Sequence, residues 1–185
     1  MKNLLLVLTL FPLLTFCGKH QEKEEKNPVV EQLPHYPKEY SATFYLLRHA
    51  EKVRTNPADP DPSLNIEGML RAKRWAAYFE PLNIDEIYIT QYVRTKQTIS
   101  LIAQQKQISP RRYNPNTIYS EDFLKQTNGK TVIIAGHSNT TPKLVNQLIG
   151  EEKFTDMDDA DNSTLFKVTI NGNNKQVTTT KVEAP

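Results

Sequence analysis

The sequence predicts a three-layer α/β sandwich, in which helices flank a mostly parallel central sheet and an antiparallel hairpin closes the C-terminal end. Two observations lead to this class. Short apolar and aromatic runs, typical of buried strands, alternate with longer segments of helical periodicity. Near the C-terminus, two strand-like segments flank a turn rich in Asn and Gly, which is typical of a hairpin. Such alternation implies helices that connect parallel strands of one sheet.

Length and composition limit the possible function classes. The 185 residues suffice for one domain with its own core, and 38% apolar and 24% charged residues are typical of a soluble globular protein. A net charge of +2 gives no reason to expect a nucleic-acid partner. The four histidines are scattered, and no His/Cys cluster has the spacing of metal ligands. We therefore predict no metal and no cofactor.

The N-terminal 40 residues differ from the rest of the chain. Lys2 precedes the apolar run 4–16, which ends at Cys17, the single cysteine. A basic start followed by a short apolar stretch is typical of an export signal, and the run is too short for a comfortable membrane span. The following stretch is rich in charge and proline, which is typical of a tether. The predicted organisation is a signal peptide at 1–17, a flexible tether at 18–40 and a folded domain at 41–185.

The first half of the domain shows two strand–helix units. A buried strand is predicted at 43–48, a helix between Asn65 and Pro81, a strand at 84–90 and a helix at 93–107. The side chains of the first helix that are expected to face the core are Met69, Ala72, Trp75, Ala76 and Phe79.

The second half continues the alternation. The predicted elements are an extended segment at 113–119, a short helix at 120–127, a buried strand at 131–135, a helix at 141–149 and hairpin strands at 165–170 and 176–182.

Basic residues and histidines follow three of the predicted strands. The first strand ends at Arg48 and His49, the third reaches His137 through Gly136, and the second leads to Arg94. Ligands of parallel α/β sheets bind beyond the carboxyl ends of the strands. A phosphomonoester carries about two negative charges near neutral pH. Guanidinium groups bind such an anion bidentately, and a neutral imidazole can attack phosphorus. The pattern therefore predicts a metal-free phosphoryl-transfer site.

Four segments together resemble the histidine phosphatase superfamily, also called phosphoglycerate-mutase-like. They occur in the family's order, cover roughly residues 43–150, and read Leu46-Leu47-Arg48-His49-Ala50-Glu51-Lys52, Leu64-Asn65-Ile66-Glu67-Gly68 with Arg71-Ala72, Thr90-Gln91-Tyr92-Val93-Arg94-Thr95-Lys96-Gln97-Thr98 and Gly136-His137-Ser138-Asn139-Thr140.

The resemblance implies a role for each matching residue. His49 corresponds to the phosphorylated nucleophile, Arg48 and Arg94 to phosphate-binding arginines, and His137 to the second histidine, which contacts the transferred phosphoryl group. Ser138 and Asn139, in the turn after His137, are expected to bind substrate. The implied partner is a small phosphorylated substrate.

The general acid of the family has no clear counterpart here. The region where mutases carry their glutamate is compressed, and Ser138 occupies the position of the aspartate in the acid-phosphatase branch. Glu51, two residues after the nucleophile, is the candidate acid, with an ion pair to Lys52 or Arg54 as the alternative.

The acidic cluster 156–161 lacks calcium-motif spacing and is interpreted as a solvated loop.

The start of the chain also resembles a bacterial lipoprotein signal. The segment Leu14-Thr15-Phe16-Cys17 would be the lipobox, although Phe16 stands where a small residue is usual. Lipidation of Cys17 would anchor an exported protein to a membrane of the cell envelope. The predicted function is that of a cofactor-independent phosphatase that hydrolyses a phosphomonoester or a phosphohistidine through a phosphohistidine intermediate on His49. The alternatives are a phosphomutase of the same superfamily and a non-catalytic lipoprotein that binds a phosphorylated ligand.

Overall fold

The computed structural model describes residues 36–182. Along the chain the elements are β1 (Ser41–Arg48), α1 (Ile66–Phe79), β2 (Glu86–Ile89), α2 (Val93–Lys106), β3 (Arg111–Arg112), α3 (Glu121–Thr127), β4 (Lys130–Gly136), α4 (Thr140–Ile149), β5 (Thr164–Asn171) and β6 (Asn174–Lys181). The strands form one sheet in the order β3-β2-β4-β1-β5-β6. The pairs from β3 to β1 are parallel, β5 pairs antiparallel with β1, and β6 pairs antiparallel with β5.

Each face of the sheet is covered by two helices. Side chains alternate between the faces along a strand. Phe44 and Leu46 of β1 therefore pack with α3 and α4, whereas Tyr45 and Leu47 pack with α1 and α2. The three-layer class with a C-terminal antiparallel hairpin is confirmed.

Helix α1 begins as predicted but exposes one residue that was assigned to the core. The Asn65 side chain caps the helix by accepting a hydrogen bond of 2.8 Å from the Gly68 amide. Ala72, Trp75, Ala76 and Phe79 are buried as expected. Met69 is 52% exposed, so its assignment was wrong. In the first turn, Gly68 packs closely against the backbone of Glu51. Met69, the next residue along the helix, therefore faces solvent.

The folded domain extends further toward the N-terminus than predicted. Tyr36 and Tyr40 are buried and stack with ring centroids 4.9 Å apart. The Tyr40 hydroxyl also lies 2.9 Å from the hydroxyl of Thr127. Residues 36–40 therefore belong to the domain and not to the tether, because the rings of Tyr36 and Tyr40 are buried in its hydrophobic core. The rest of the predicted tether and the predicted signal peptide with Cys17 lie outside the described residues.

The extended segment predicted at 113–119 was wrong. Strand β3 is only two residues long and precedes it, and residues 115–117 form a turn. Asn114 directs this turn, because its side-chain oxygen accepts a hydrogen bond of 3.0 Å from the Asn116 amide. The turn leads the chain past the carboxyl ends of the strands. No helix within residues 36–182 is both long and apolar enough to cross a membrane.

Candidate active site

A cavity of about 770 Å³ opens at the carboxyl ends of three adjacent parallel strands. Arg48 at the end of β1 lies opposite Gly136 at the end of β4, and the His49 amide donates to the Gly136 carbonyl at 3.0 Å. The cavity is lined by Arg48, His49, Lys52, Thr90, Gln91, Tyr92, Arg94, Arg112, Tyr113, Asn114, Pro115, Asn116, His137, Ser138, Asn139, Thr140 and Asp159.

The His49 imidazole is held in one orientation at the base of this cavity. Its Nδ1 lies 2.7 Å from the carbonyl oxygen of Ala50. Because a carbonyl only accepts hydrogen bonds, Nδ1 carries the proton and Nε2 keeps its lone pair. The backbone on either side is fixed as well. Ala50 donates its amide to the Thr98 hydroxyl at 2.9 Å, and the side-chain amide of Asn162 donates to the His49 carbonyl at 2.8 Å.

Burial keeps His49 neutral. It lowers the pKa of the imidazole from 6.5 to about 3, against the opposing effect of the hydrogen bond to Ala50. The positive charges of Arg48 and Arg94 and the His137 ring nearby act in the same direction as burial. A neutral ring with a free Nε2 is the form that can attack phosphorus.

His137 faces His49 across the cavity, with ring centroids 5.4 Å apart. Its Nε2 lies 3.0 Å from the Thr90 hydroxyl, and the edge of the Tyr92 ring packs against it. Burial and then the charge of Arg94 lower the pKa of His137 to about 4. The unliganded site therefore contains two neutral imidazoles.

The glycine before His137 is required by close packing. A Cβ at Gly136 would lie 2.9 Å from both the Thr141 hydroxyl and the Tyr113 hydroxyl. This contact is tighter than side chains allow, so Gly136 lets the loop at 113–116 approach the strand end.

Arg94 reaches the cavity from the first turn of α2. Its guanidinium lies over the Tyr92 ring, 4.1 Å from the centroid, and its Nη1 lies 3.3 Å from a carboxylate oxygen of Asp61. The same carboxylate accepts the Val93 amide at 2.9 Å and so ties the start of α2 to the loop after β1. The Nε of Arg94 is buried and has no partner within the described structure. Sequence reasoning missed Tyr92 and Asp61, because their role depends on tertiary contacts.

Arg48 is held by the loop between α4 and β5. Its Nη1 donates to the carbonyls of Asp158 at 3.0 Å and Asp159 at 2.8 Å, and its Nη2 forms an ion pair with the Asp159 carboxylate. The interpretation of the acidic cluster 156–161 as only a solvated loop was therefore wrong for Asp159, which lines the cavity. No sequence signal near position 159 indicates this contact, since 110 residues separate Arg48 from Asp158.

Positive charge dominates the cavity. Lys52 and Arg112 line it together with Arg48 and Arg94, and among the described lining residues Asp159 contributes the single carboxylate. Such a field favours an anionic ligand. Within residues 36–182, no three His, Cys, Asp or Glu side chains are grouped closely enough to hold a metal ion.

Residues 44–115, which supply Arg48, His49, Thr90 and Arg94, match the family model of the histidine phosphatase superfamily, branch 1. Over these residues the chain is similar to histidine phosphatases of branch 1. No curated protein sequence matches the chain.

Solved structures share the fold of this domain at low sequence identity. The protein histidine phosphatase SixA, in complex with tungstate, has a TM-score of 0.61 at 14% identity and covers 76% of this chain and 97% of its own. Phosphoglycerate mutase from Bacillus anthracis has a TM-score of 0.59 at 13% identity, covering 77% and 94%. A mutant of phosphoserine phosphatase from Entamoeba histolytica, in complex with phosphoserine, has a TM-score of 0.54 at 16% identity, covering 74% and 94%.

The fold of the domain brings together most of the predicted site residues. Those that line the cavity are Arg48, His49, Arg94, His137, Ser138 and Asn139. Ser138 and Asn139 form the turn between β4 and α4, which places them beside the second histidine. Cys17 lies outside the described residues.

The structure does not bring Glu51 to this cavity. Glu51 faces a neighbouring cavity of about 440 Å³ and forms an ion pair with Arg71, whose Nε and Nη2 both lie 2.6 Å from one carboxylate oxygen. The alternative pairing with Lys52 or Arg54 was also wrong. The reason is that α1 carries Arg71 back over the loop after β1, a contact between positions 20 residues apart.

Proposed function

We propose that this chain is a phosphatase that hydrolyses a phosphomonoester or a phosphohistidine through a phosphohistidine intermediate on His49. One observation carries the proposal. The Nδ1 proton of His49 is engaged by the Ala50 carbonyl at 2.7 Å, so a neutral, buried Nε2 remains as the nucleophile in a cavity lined by Arg48 and Arg94. The family match supports the same chemistry.

In the first step, Nε2 of His49 attacks phosphorus and the bond to the leaving oxygen or nitrogen breaks. The transition state of phosphoryl transfer needs positioning and charge stabilisation more than covalent help. Arg48 and Arg94 supply two permanent positive charges. The bound phosphoryl group raises the pKa of His137 by its negative charge, so His137 becomes a third donor to the phosphoryl oxygens.

In the second step, water attacks the phosphohistidine. The new O–P bond forms as the N–P bond breaks, the electron pair returns to Nε2, and the attacking water gives up one proton, which passes to solvent. Phosphate then leaves and His49 is again neutral. No metal is required, because the cations of the protein neutralise the phosphoryl oxygens.

The substrate is proposed to be small or to present its phosphoryl group on an exposed side chain. The cavity of about 770 Å³ accommodates a phosphoryl group together with a leaving group of modest size. The name of one structural relative, the protein histidine phosphatase SixA, and that of another, phosphoserine phosphatase, support these two substrate types.

The test measures p-nitrophenyl phosphate hydrolysis by the full chain with and without a chelator. We expect activity that survives the chelator and is lost in His49→Ala. Lys143→Ala, at an exposed position of α4, serves as the matched control and should retain activity. Full activity in the His49 variant would contradict the proposal.

The two alternative functions give different products. A phosphomutase would transfer phosphate between two hydroxyls of one sugar acid without releasing it. A non-catalytic binding protein would never become phosphorylated. Recovery of an acid-labile phosphoryl group on the wild-type chain, together with phosphate release, supports the phosphatase against both.

We also propose that the chain is exported to the bacterial cell envelope and anchored to a membrane by a lipid on Cys17. Support comes from the sequence alone, since the single cysteine follows an apolar run and precedes a charged stretch. Expression of the full chain in bacteria with a labelled fatty acid should label the wild type and not Cys17→Ser. An unlabelled wild-type chain would contradict the anchor.

A further inference from the structure

Asp159 is the one carboxylic acid among the described residues that line the cavity. It lies in the loop between α4 and β5 and is 65% exposed. Its carboxylate forms ion pairs with Nη2 of Arg48 and, at 2.7 Å, with Nη1 of Arg54. Glu51 cannot take its place, because Arg71 holds Glu51 at the neighbouring cavity.

We propose that Asp159 is the general acid and base of the reaction, protonating the leaving group in the first step and activating water in the second. This inference rests on the proposed function. It assigns the proton donor to a loop that no sequence motif indicates.

The contact between Asp159 and Arg48 links the protonation of the Asp159 carboxyl to substrate binding. The guanidinium that pairs with Asp159 is also proposed to bind the phosphoryl group, so substrate and carboxylate exchange places at Nη2. The displaced carboxylate then lies beside the bound phosphoryl group. A second negative charge nearby favours its protonated form.

Ion pairing with the two arginines keeps Asp159 ionised. Hydrogen bonds from Arg54 and then from Arg48 lower the pKa of the Asp159 carboxyl to about 2. Loss of the Arg48 partner and the approach of phosphate both raise that pKa. The proposal requires that these two effects outweigh the remaining ion pair with Arg54, so that Asp159 takes up a proton from solvent in the substrate complex.

The steps balance as follows. Nε2 of His49 forms a bond to phosphorus, the bond from phosphorus to the leaving oxygen breaks, and that oxygen takes the proton of Asp159 and departs as an alcohol. In the second step, the Asp159 carboxylate takes a proton from water as the water oxygen bonds to phosphorus. The N–P bond breaks and its electron pair returns to Nε2. Asp159 releases its proton to solvent when phosphate leaves.

The Asp159 carboxylate can leave Arg48 while the backbone of the loop stays in place. The carbonyls of Asp158 and Asp159 hold Nη1 of Arg48, independently of the Asp159 carboxylate. Asp161 fixes the end of the loop, because its carboxylate accepts the Thr164 hydroxyl at 2.6 Å and pairs with Lys181 at 2.7 Å. The backbone of Asp159 is therefore fixed independently of its side chain, whose carboxylate pairs with Arg48 and Arg54.

The experiment compares two esters that differ in their need for an acid. The p-nitrophenolate of p-nitrophenyl phosphate is a good leaving group, whereas the alkoxide of β-glycerol phosphate must be protonated. General acid catalysis contributes about 10²-fold or more. In Asp159→Asn we expect kcat/KM, which reports the step in which the leaving group departs, to fall about 10²-fold for β-glycerol phosphate and much less for p-nitrophenyl phosphate. Asp159→Glu, which keeps a carboxylic acid, should retain part of the activity on the alkyl ester.

Asp156→Asn is the matched control. It makes the same charge change at an exposed position three residues away, outside the cavity lining, and should not alter the ratio of the two rates. An equal fall in kcat/KM for both esters in Asp159→Asn would indicate a structural role, and a rise in kcat/KM for both would indicate that Asp159 only competes with phosphate. Either result would overturn the proposal. A wild-type chain inactive on both esters would contradict the proposed function and this assignment with it.

Discussion

The hydroxyl oxygen of Thr90 lies 3.0 Å from Nε2 of His137. Thr90 is buried directly after β2, and its hydroxyl is also 3.1 Å from that of Thr95 in α2. The second histidine is thus oriented by a residue that belongs to a different strand–helix unit. The two units meet only because β2 and β4 are neighbours in the sheet.

Thr90→Val should slow hydrolysis of p-nitrophenyl phosphate by up to about tenfold. The variant removes the hydrogen bond that orients His137, and one neutral hydrogen bond contributes about 0.5–1.5 kcal/mol. Steady-state kinetics on the full chain measure the effect. Thr55→Val, at an exposed position, is the control. Unchanged kinetics in Thr90→Val would show that the contact does not orient the ring.

Both active-site histidines should remain neutral well below the ordinary histidine range. Their pKa values are about 3 for His49 and about 4 for His137, so neither ring should titrate between pH 7 and pH 5. A chain in which His20 and His35 are replaced by Gln leaves only these two imidazoles for NMR. Ring signals that shift with a midpoint near pH 6.5 would contradict the expected burial effect.

The lowered pKa values of His49 and His137 also determine how the free energy of unfolding depends on pH. The unfolded chain binds protons on these imidazoles near pH 6.5, whereas the folded chain does not until about pH 4 to 3. Their contribution to stability is therefore complete above about pH 6.5 and is lost as the pH falls toward the folded values. Denaturant unfolding at pH 7 and pH 5 should give a smaller loss of stability in His49→Phe than in the wild type.

Glu51→Gln should lower the free energy of unfolding by about 3 kcal/mol, because removing one member of a buried ion pair leaves the other uncompensated. Glu51 is 14% exposed and Arg71 is 9% exposed, so solvent screens the pair little. The double variant Glu51→Gln/Arg71→Gln should lose less than the sum of the single losses. Glu51→Gln should keep the wild-type ratio of kcat/KM for β-glycerol phosphate and p-nitrophenyl phosphate. A selective loss of activity on β-glycerol phosphate would instead identify Glu51 as the general acid.

Gly68→Ala should destabilise the domain by about 1–3 kcal/mol, the usual range for overpacking. A Cβ at this position would lie 2.1 Å from the carbonyl oxygen of Glu51, so the start of α1 would have to move. The same carbonyl accepts the Asn65 amide, and the loop that carries it follows His49. Lys73→Ala, on the exposed side of α1, is the control for helix propensity. Equal stability of the two variants would contradict the close approach.

Local patterns were enough to predict most of the fold. The apolar runs of β1 and β4, the Asn65 cap and the hairpin turn each depend on residues close together in the chain. Met69 and the segment 113–119 were assigned incorrectly for a common reason. A side chain's burial at the end of a helix, or the length of an edge strand, is decided by what packs against it. Tyr36 was likewise assigned to the tether, because its stacking partner and its buried site are invisible in a charged, proline-rich stretch.

For the site, the sequence alone determined the residue types and their order. His49, Arg48, Arg94 and His137 follow strand ends, and parallel strands bring such ends together at one edge of a sheet. Only the tertiary structure decided the partners of those residues. Arg71 binds Glu51, and Asp159 reaches Arg48 from across the chain. Ion pairs form between groups that the fold brings within a few ångströms, and charge alone does not specify which carboxylate will meet which guanidinium.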